Sequence, residues 1–172
     1  NPAGDPLAET VRDEDGRYGL ELIDLGRGTA QRLEVSGDPA YTLLWKDSLT
    51  LIARGSDGGY TVFDVGAHDG SKRAITRLPI LGRGRVVDLL PQRPGEILFE
   101  GFDSQGDLAV HRIALAGSRS IATYITAKSR DRLNKGASKD VGWYADGHGR
   151  LRVAVVIRDG TPVLVDGRDG AF

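Results

Sequence analysis

Hydrophobic residues recur along the chain in short runs of about five to eight positions, rich in β-branched and aromatic side chains. No segment keeps apolar residues at a helical period over three turns with a cap at either end. Turn-forming stretches such as "SDGG", "HDGS", "DGHG" and "RDG" separate the runs. Because these stretches favour tight reversals between strands, the pattern predicts an all-β chain.

The predicted strands recur in sets of up to four. The second set has strands at 41–45, 49–55, 60–66 and 73–78, and the third at 86–90, 96–102, 108–115 and 120–125. First strands begin near 41, 86 and 141, at intervals of 45 and 55 residues, as is typical of β-propeller blades. We predict one partial propeller domain over 1–172, with the end of a first blade at 1–35, a second blade at 41–78, a third at 86–125 and an incomplete fourth at 141–172.

Several central strands are apolar at consecutive positions, so that both of their faces favour burial. Examples are "LTLIA" at 49–53, "EILF" at 96–99 and "VAVVI" at 153–157. A sheet stacked between two neighbours needs two dry faces, whereas a sandwich sheet with one wet face alternates strictly. This favours the propeller, and a sandwich or barrel of evenly spaced hairpins is the alternative.

The amino-acid composition argues against several classes of function. The 172 residues carry a net charge of −1, which gives no reason to expect nucleic acid or an acidic membrane as a partner. Cysteine is absent, which excludes disulfides, thiolate metal sites and cysteine nucleophiles. No apolar run approaches the ~20 residues of a membrane span. We expect a soluble chain, cytoplasmic or periplasmic, and, since it starts at Asn1 and lacks methionine, a piece of a longer protein.

Asp146 and His148, within "VGWYADGHGRLRVAV" at 141–155, are the most evident candidates for acid–base chemistry. The same stretch is also typical of a hairpin, in which Gly147 and Gly149 permit the turn and Asp146 hydrogen-bonds its own backbone. Trp143 is then expected to pack between blades. We favour the hairpin interpretation.

The three histidines lie far apart, with His68 and His148 in predicted turns and His111 in a predicted strand. No pair has the spacing that presents two nitrogens to one metal. The segments "DEDG" at 13–16 and "DGRDG" at 166–170 lack the spaced oxygen ligands of a calcium loop. We therefore predict no catalytic residue, no metal site and no cofactor in this chain.

The segment 127–140, "AKSRDRLNKGASKD", concentrates basic side chains and exceeds the other predicted interblade links in length. A solvated connection explains it, and an interaction loop is the functional alternative. The candidate interaction residues are Lys128, Arg130, Arg132, Lys135 and Lys139. In an up-and-down meander this loop lies at one end of the strands, and the turns at 46–48, 92–95 and 146–149 lie at the other.

Three stretches resemble a known family. They are "YGLELIDLGRGTAQRL" at 18–33, "VVDLLPQRPGEILFEGFDSQGDLAVHRIALAGSRSI" at 86–121 and "GWYADGHGRLRVAV" at 142–155. Together they are similar to the N-terminal propeller of prolyl-oligopeptidase-like serine peptidases. In that family a strand ending in Leu-Pro precedes a Pro-Gly turn and an Ile-Leu-rich strand, as at 90–99. A Trp, an Asp-Gly turn and an Arg-bearing strand then open a later blade, as at Trp143, Asp146, Gly147 and Arg152.

The resemblance implies that the propeller covers an α/β-hydrolase domain of the same parent chain, restricts the entry of large substrates and helps to place peptide ends. The catalytic serine, aspartate and histidine of the family lie in that other domain. In this chain no serine occupies a Gly-x-Ser-x-Gly nucleophile elbow, so we expect no peptidase activity from it alone.

Two other functions stay open. One is a stand-alone propeller of TolB or WD40 type that binds proteins. The weaker one is a carbohydrate-active propeller, which needs paired carboxylates, for which Asp64, Asp88 and Glu100 are candidates. As an isolated fragment the chain is expected to expose sheet edges and blade faces that the intact ring would cover, which predicts self-association.

Overall fold

The computed structural model describes residues 6–16, 18–33, 42–69, 72–78, 83–102, 108–115, 131–132 and 141–167. All regular secondary structure within these residues is β-strand, which confirms the predicted all-β class. The strands are β1 (Leu7–Arg12), β2 (Tyr18–Asp24), β3 (Thr29–Leu33), β4 (Thr42–Trp45), β5 (Thr50–Arg54), β6 (Tyr60–Asp69), β7 (Lys72–Leu78), β8 (Gly84–Asp88), β9 (Glu96–Phe102), β10 (Leu108–Ala114), β11 (Asp131–Arg132), β12 (Val141–Ala145), β13 (Leu151–Arg158) and β14 (Thr161–Asp166). The described part of the chain contains no helix with the length and hydropathy needed to cross a bilayer.

The strands form four antiparallel sheets, and in each sheet the strands follow one another in sequence order. The first sheet contains β1 to β3, the second β4 to β7, the third β8 to β11 and the fourth β12 to β14. Short turns between consecutive strands favour such up-and-down meanders. The sheets occupy the stretches of the predicted sets of strands, and their arrangement as blades of one ring stays a prediction.

Two details differ from the sequence prediction. The strand beside β10 is β11, where Arg132 lies opposite His111, whereas the predicted strand at 120–125 falls outside the described residues. A pairing of two residues needs no apolar run, so the hydrophobic pattern contains no signal for β11. His68, predicted in a turn, lies in β6 because the β6–β7 ladder continues past an irregularity to the pair Asp69–Lys72.

Turn chemistry explains where the strands reverse. Between β5 and β6, the Asp57 carboxylate accepts a hydrogen bond of 2.9 Å from the N–H of Gly59. Between β13 and β14, Asp159 and Gly160 have φ angles of 51° and 76°. Two successive positive φ angles define a type I′ turn, whose twist matches that of the strands it joins.

The chain divides into two compact units, Asn1–Gly82 and Arg83–Phe172. In the first unit a hydrophobic core lies between the first and second sheets. The core residues are Leu20, Leu22 and Leu33 from the first sheet and Leu51, Ala53, Phe63 and Val65 from the second. Since burial of one Leu or Phe side chain contributes about 1.5–3 kcal/mol, this core is the main attraction between the two sheets.

In the second unit an equivalent core lies between the third and fourth sheets. Its residues are Leu90, Leu98 and Val110 from the third sheet and its β8–β9 turn, and Trp143, Leu151 and Ala154 from the fourth. Trp143 is buried there, which confirms that it packs between two sheets.

The second and third sheets are buried on both faces. In β5, Leu51 faces the core of the first unit, while Ile52, on the opposite face, is equally buried. In β9, Leu98 faces the core of the second unit, and Ile97 and Phe99 are buried on the opposite face. Both faces of these two strands therefore carry buried apolar side chains.

Candidate functional site

The turn between β12 and β13 contains the residues that the sequence singles out. Ala145 ends β12 and Leu151 begins β13, so five residues, 146–150, connect the strands. The N–H of Asp146 donates to the carbonyl of Arg150 at 3.1 Å, which closes the turn. Gly147 and Gly149 have φ angles of 73° and 92°, in the region that favours glycine. The predicted hairpin is confirmed.

The carboxylate of Asp146 organises this turn. Its Oδ1 accepts hydrogen bonds from the N–H groups of His148, at 2.9 Å, and Arg150, at 3.1 Å. Its Oδ2 lies 2.8 Å from both Nε and Nη2 of Arg152, which gives a two-point contact with the guanidinium. The side chain therefore bonds its own backbone, as the sequence predicts, and both oxygens are engaged.

The environment of Asp146 sets its ionisation. Partial burial alone raises the pKa of this carboxyl, but the N–H groups of Arg150 and His148 and the charged Arg152 guanidinium outweigh burial. Together they lower the pKa from its ordinary 3.8 to about 2. A carboxylate with this pKa stays ionised at neutral pH and is a weak proton acceptor.

His148 takes part in the turn through its backbone. Its N–H donates to Asp146, and its carbonyl accepts a bond of 2.8 Å from Nε of Arg93. Neither contact uses the imidazole. The closeness of Asp146 and His148 in sequence therefore reflects a tight hairpin, and the geometry does not create an acid–base pair.

Residues of the third sheet hold the turn from the side. Asp88 Oδ2 accepts from the N–H of Gly147 at 3.1 Å, and its Oδ1 accepts from the N–H of Leu90 at 2.6 Å. Nη2 of Arg112 donates to the carbonyl of Gly149 at 3.3 Å. Pro91 approaches Gly147 closely enough for ordinary van der Waals contact with a Cβ at that position. The β8–β9 and β12–β13 turns therefore meet at one end of this unit, as the meander topology predicts.

The contacts of Asp88 stabilise an unusual backbone conformation at Leu90. Leu90 has a φ of 49°, unusual for a residue other than glycine, and its side chain is fully buried in the core of the second unit. The hydrogen bond that the N–H of Leu90 donates to Asp88 supports this costly backbone conformation. The Leu-Pro of the family-like motif is therefore a structural element of the contact between two sheets.

Charge around the turn is mixed with an excess of arginine. We call Arg93, Arg112, Arg150 and Arg152 the arginine rim, and Asp88, Glu96 and Asp146 are the carboxylates among them. Arg93 pairs with Glu96 at 3.4 Å, an exposed contact of small energetic value. Such a rim can fix a loop and offer guanidinium donors to an acidic group of a partner.

The structure describes some of the other candidate residues predicted from the sequence. Of the five basic residues predicted for the interaction loop, only Arg132 is within the described residues, in β11, while Lys128, Arg130, Lys135 and Lys139 lie outside them. Glu100 forms an ion pair of 3.2 Å with Arg85, and His111 is buried in β10. The described residues contain no group of three or more His, Asp or Glu that could hold a metal ion.

Sequence reasoning misses Arg93 and Arg112, and it names Asp88 only as a candidate for paired carboxylates, not as a partner of the β12–β13 turn. Asp88 contacts a residue 59 positions away, Arg93 one 55 away and Arg112 one 37 away. Local spacing contains no signal for such contacts. The only accessible sign is the Asp-x-Leu spacing of 88–90, which suits a side chain that bonds an N–H two residues later.

No family model, curated protein or solved structure matches the chain.

Proposed function

We propose that the chain is a non-catalytic β-propeller segment of a prolyl-oligopeptidase-like serine peptidase, in which it restricts substrate entry or mediates interactions. The observation that carries the propeller part is the succession of four antiparallel sheets of three or four strands, each with its strands in sequence order. Such up-and-down sheets, repeated along a chain, are the structural unit of a propeller.

The residues that carry the family resemblance support a scaffold role. Leu90 and Trp143 lie in one hydrophobic core, and Arg152 of β13 bonds Asp146 of the β12–β13 turn. Each member of the motif thus has a structural task. This agrees with a family in which the propeller shapes access and the chemistry lies in a separate α/β-hydrolase domain.

The chemistry of the turn favours recognition over catalysis. Asp146 is held ionised by its partners, and the basic side chain that contacts it is the guanidinium of Arg152, which does not titrate at physiological pH. The arginine rim suits the carboxylate of a peptide or an acidic side chain of a neighbouring domain. The basic residues Lys128, Arg130, Arg132, Lys135 and Lys139 are a second proposed interaction region.

A fluorophosphonate probe tests the proposal, because it labels an activated serine covalently. We expect the full-length parent protein to be labelled at a serine in a Gly-x-Ser-x-Gly elbow outside the 172-residue chain. The isolated chain and heat-denatured parent, as controls, should stay unlabelled. A parent without such a serine would instead favour a stand-alone protein-binding propeller, and labelling of the isolated chain would overturn the non-catalytic assignment.

A further inference from the structure

Asp-Gly pairs are the commonest turn element of this chain, and they are also chemically reactive. The sequence contains seven, at 15–16, 57–58, 69–70, 146–147, 159–160, 166–167 and 169–170. In such a pair the glycine nitrogen can attack the aspartyl side chain, because glycine has no Cβ to hinder the approach. Five of the pairs lie wholly within the described residues, at 15–16, 57–58, 146–147, 159–160 and 166–167, so their glycine N–H groups can be compared.

In four of the five described pairs the glycine N–H donates a hydrogen bond. The donors and acceptors are Gly16 with the carbonyl of Asp13 at 2.9 Å, Gly58 with the carbonyl of Gly55 at 3.1 Å, Gly147 with Oδ2 of Asp88 at 3.1 Å, and Gly167 with the carbonyl of Arg152 at 2.7 Å. A nitrogen whose proton is held by an acceptor can lose that proton and become nucleophilic only when the bond opens. These four pairs are therefore protected in the folded chain.

Gly160 is the exception among the five pairs. Within the described part of the chain its N–H has no acceptor, and the Asp159 carboxylate has no hydrogen-bond or ion-pair partner. Both residues are exposed, and the Cβ position of Gly160 faces open space. Arg158 and Thr161 close the two-residue type I′ turn through their own pairing, which leaves the N–H of the second turn residue unused. The availability of this nitrogen thus follows from the turn itself.

The aspartyl side chains differ in the same direction as the glycine nitrogens. The nucleophile attacks the neutral carboxylic acid, because a carboxylate resists attack on its carbon. Burial by itself raises the pKa of the Asp146 carboxyl, but its backbone donors and the Arg152 guanidinium outweigh burial and lower the pKa to about 2. Asp57 is held as well, since its Oδ1 accepts a hydrogen bond of 2.9 Å from the N–H of Gly59. The carboxyl of Asp159 has no such bond among the described residues.

From this contrast we propose that Asp159-Gly160 is a modification site, at which the folded chain forms isoaspartate without an enzyme. The nitrogen of Gly160 loses its proton and bonds to Cγ of Asp159, and the carboxyl hydroxyl leaves with that proton as water. Water then adds to the resulting succinimide ring. Cleavage of the bond from nitrogen to Cγ restores aspartate, whereas cleavage of the bond from nitrogen to the main-chain carbonyl carbon gives isoaspartate. Nothing is oxidised or reduced, and the water that is lost is regained.

The modification changes the hairpin that contains it. Isoaspartate routes the backbone through Cβ and Cγ, which adds one carbon to the main chain and releases an α-carboxylate into solvent. A two-residue turn cannot take up the extra atom while Arg158 and Thr161 stay paired. The modified turn should therefore widen, and the adjoining ends of β13 and β14 should separate. The inference does not depend on the proposed function, because it concerns the covalent chemistry of one turn.

Peptide mapping of the native 172-residue chain tests the proposal, after incubation in a mildly acidic buffer in which part of an ordinary aspartyl carboxyl is protonated. Isoaspartate leaves the peptide mass unchanged, alters its chromatographic retention and blocks an endoproteinase that cleaves before aspartate. We expect isomerisation at 159–160 to be at least about tenfold faster than at 146–147. In the chain unfolded by urea the two pairs should react at similar rates, because neither then has a fixed conformation.

Asp159→Glu is the control variant, because the longer side chain does not form the five-membered ring. The modified peptide should be missing from it. A modified peptide that persists in this variant would place the change elsewhere and overturn the proposal. Similar rates at 159–160 and 146–147 in the native wild type would also overturn it. So would a native chain in which 159–160 stays unmodified although the same pair reacts in urea.

Discussion

The fourth sheet contains two turns built on Asp-Gly, at 146–147 and at 159–160, and their surroundings differ. The first exchanges hydrogen bonds with Asp88, Arg93 and Arg112 of the third sheet. The second is an exposed type I′ turn, with open space around the Cβ position of Gly160. The dipeptide thus determines where a strand reverses, and residues far away in sequence determine whether the turn is held.

This difference bears on the search for function. From sequence, Asp146 and His148 resemble a catalytic pair, while 159–160 is only a turn. In the structure Asp146 is occupied by structural donors, and the features that distinguish its turn are the neighbours that bind it. The first turn is therefore a junction between two sheets, in which Arg93, Arg150 and Arg152 of the arginine rim are exposed and Arg112 is half-buried.

The largest expected effect comes from Asp88→Ala. Loss of this carboxylate leaves the N–H groups of Gly147 and Leu90 without their acceptor, and Leu90 keeps a costly positive φ. We expect a loss of about 2–3 kcal/mol in the free energy of unfolding, measured in urea. In the free turn Asp159→Ala should cost only about 1 kcal/mol, the penalty of its backbone conformation. Equal losses in the two variants would contradict the distinction between the turns.

Asp146→Asn should reduce stability in a pH-dependent way. Because the pKa of Asp146 is about 2 in the folded protein and near 3.9 when unfolded, its contribution is fully present above about pH 4. The contribution is lost as the pH falls through about 2. Allowing for solvent screening, we expect Asn to cost roughly 1–2 kcal/mol at pH 7 and little at pH 2.

The measurement for Asp146 is urea unfolding of wild type and variant at several pH values between 2 and 7. Arg152→Gln serves as the companion variant, because it removes the guanidinium and leaves the two backbone donors in place. It should cause a smaller loss with the same sign of pH dependence. A wild-type advantage over Asp146→Asn that stays constant across this range would contradict the assigned pKa.

Amide hydrogen exchange tests the difference between the two turns in the wild-type protein, without a substitution. The N–H groups of Gly147, His148 and Arg150 are bonded to carboxylates, so they should exchange at least about tenfold more slowly than the N–H of Gly160. Asp88→Ala should remove the protection of Gly147 more than that of His148. Similar rates at Gly147 and Gly160 in the wild type would show that the first turn is not held.

Arg93→Ala should have the smallest effect. The guanidinium bonds the carbonyl of His148 and pairs with Glu96, but both contacts are exposed to solvent. We expect a loss of about 0.5–1 kcal/mol in thermal or urea unfolding. Arg158→Ala, at the exposed end of β13, is the control and should change stability by less. A loss above about 2 kcal/mol for Arg93→Ala would mean that one arginine dominates the junction.

Much of the fold follows from local sequence. Alternating or continuous apolar runs define the strands, and Asp-Gly and Gly-rich stretches define the turns at 55–59, 146–150 and 159–160. The prediction fails where no local signal exists. The two-residue strand β11 carries no apolar run, and β6 continues past an irregularity in its register to include His68.

The candidate site is less predictable than the fold. Asp146 and Trp143 can be placed correctly from the hairpin pattern alone. The contacts of Asp88, Arg93 and Arg112 depend on how two sheets pack, and a side chain's partner 37 to 59 residues away is not encoded in local spacing. The lowered pKa of Asp146 follows from the same geometry.

An experimental structure of the full-length parent protein tests the proposed function most directly. We predict that the four sheets are consecutive blades around a common axis, in a polypeptide that also contains an α/β-hydrolase domain with the catalytic serine, aspartate and histidine. Two separate sandwiches, or a closed propeller in a polypeptide without a hydrolase domain, would contradict the account.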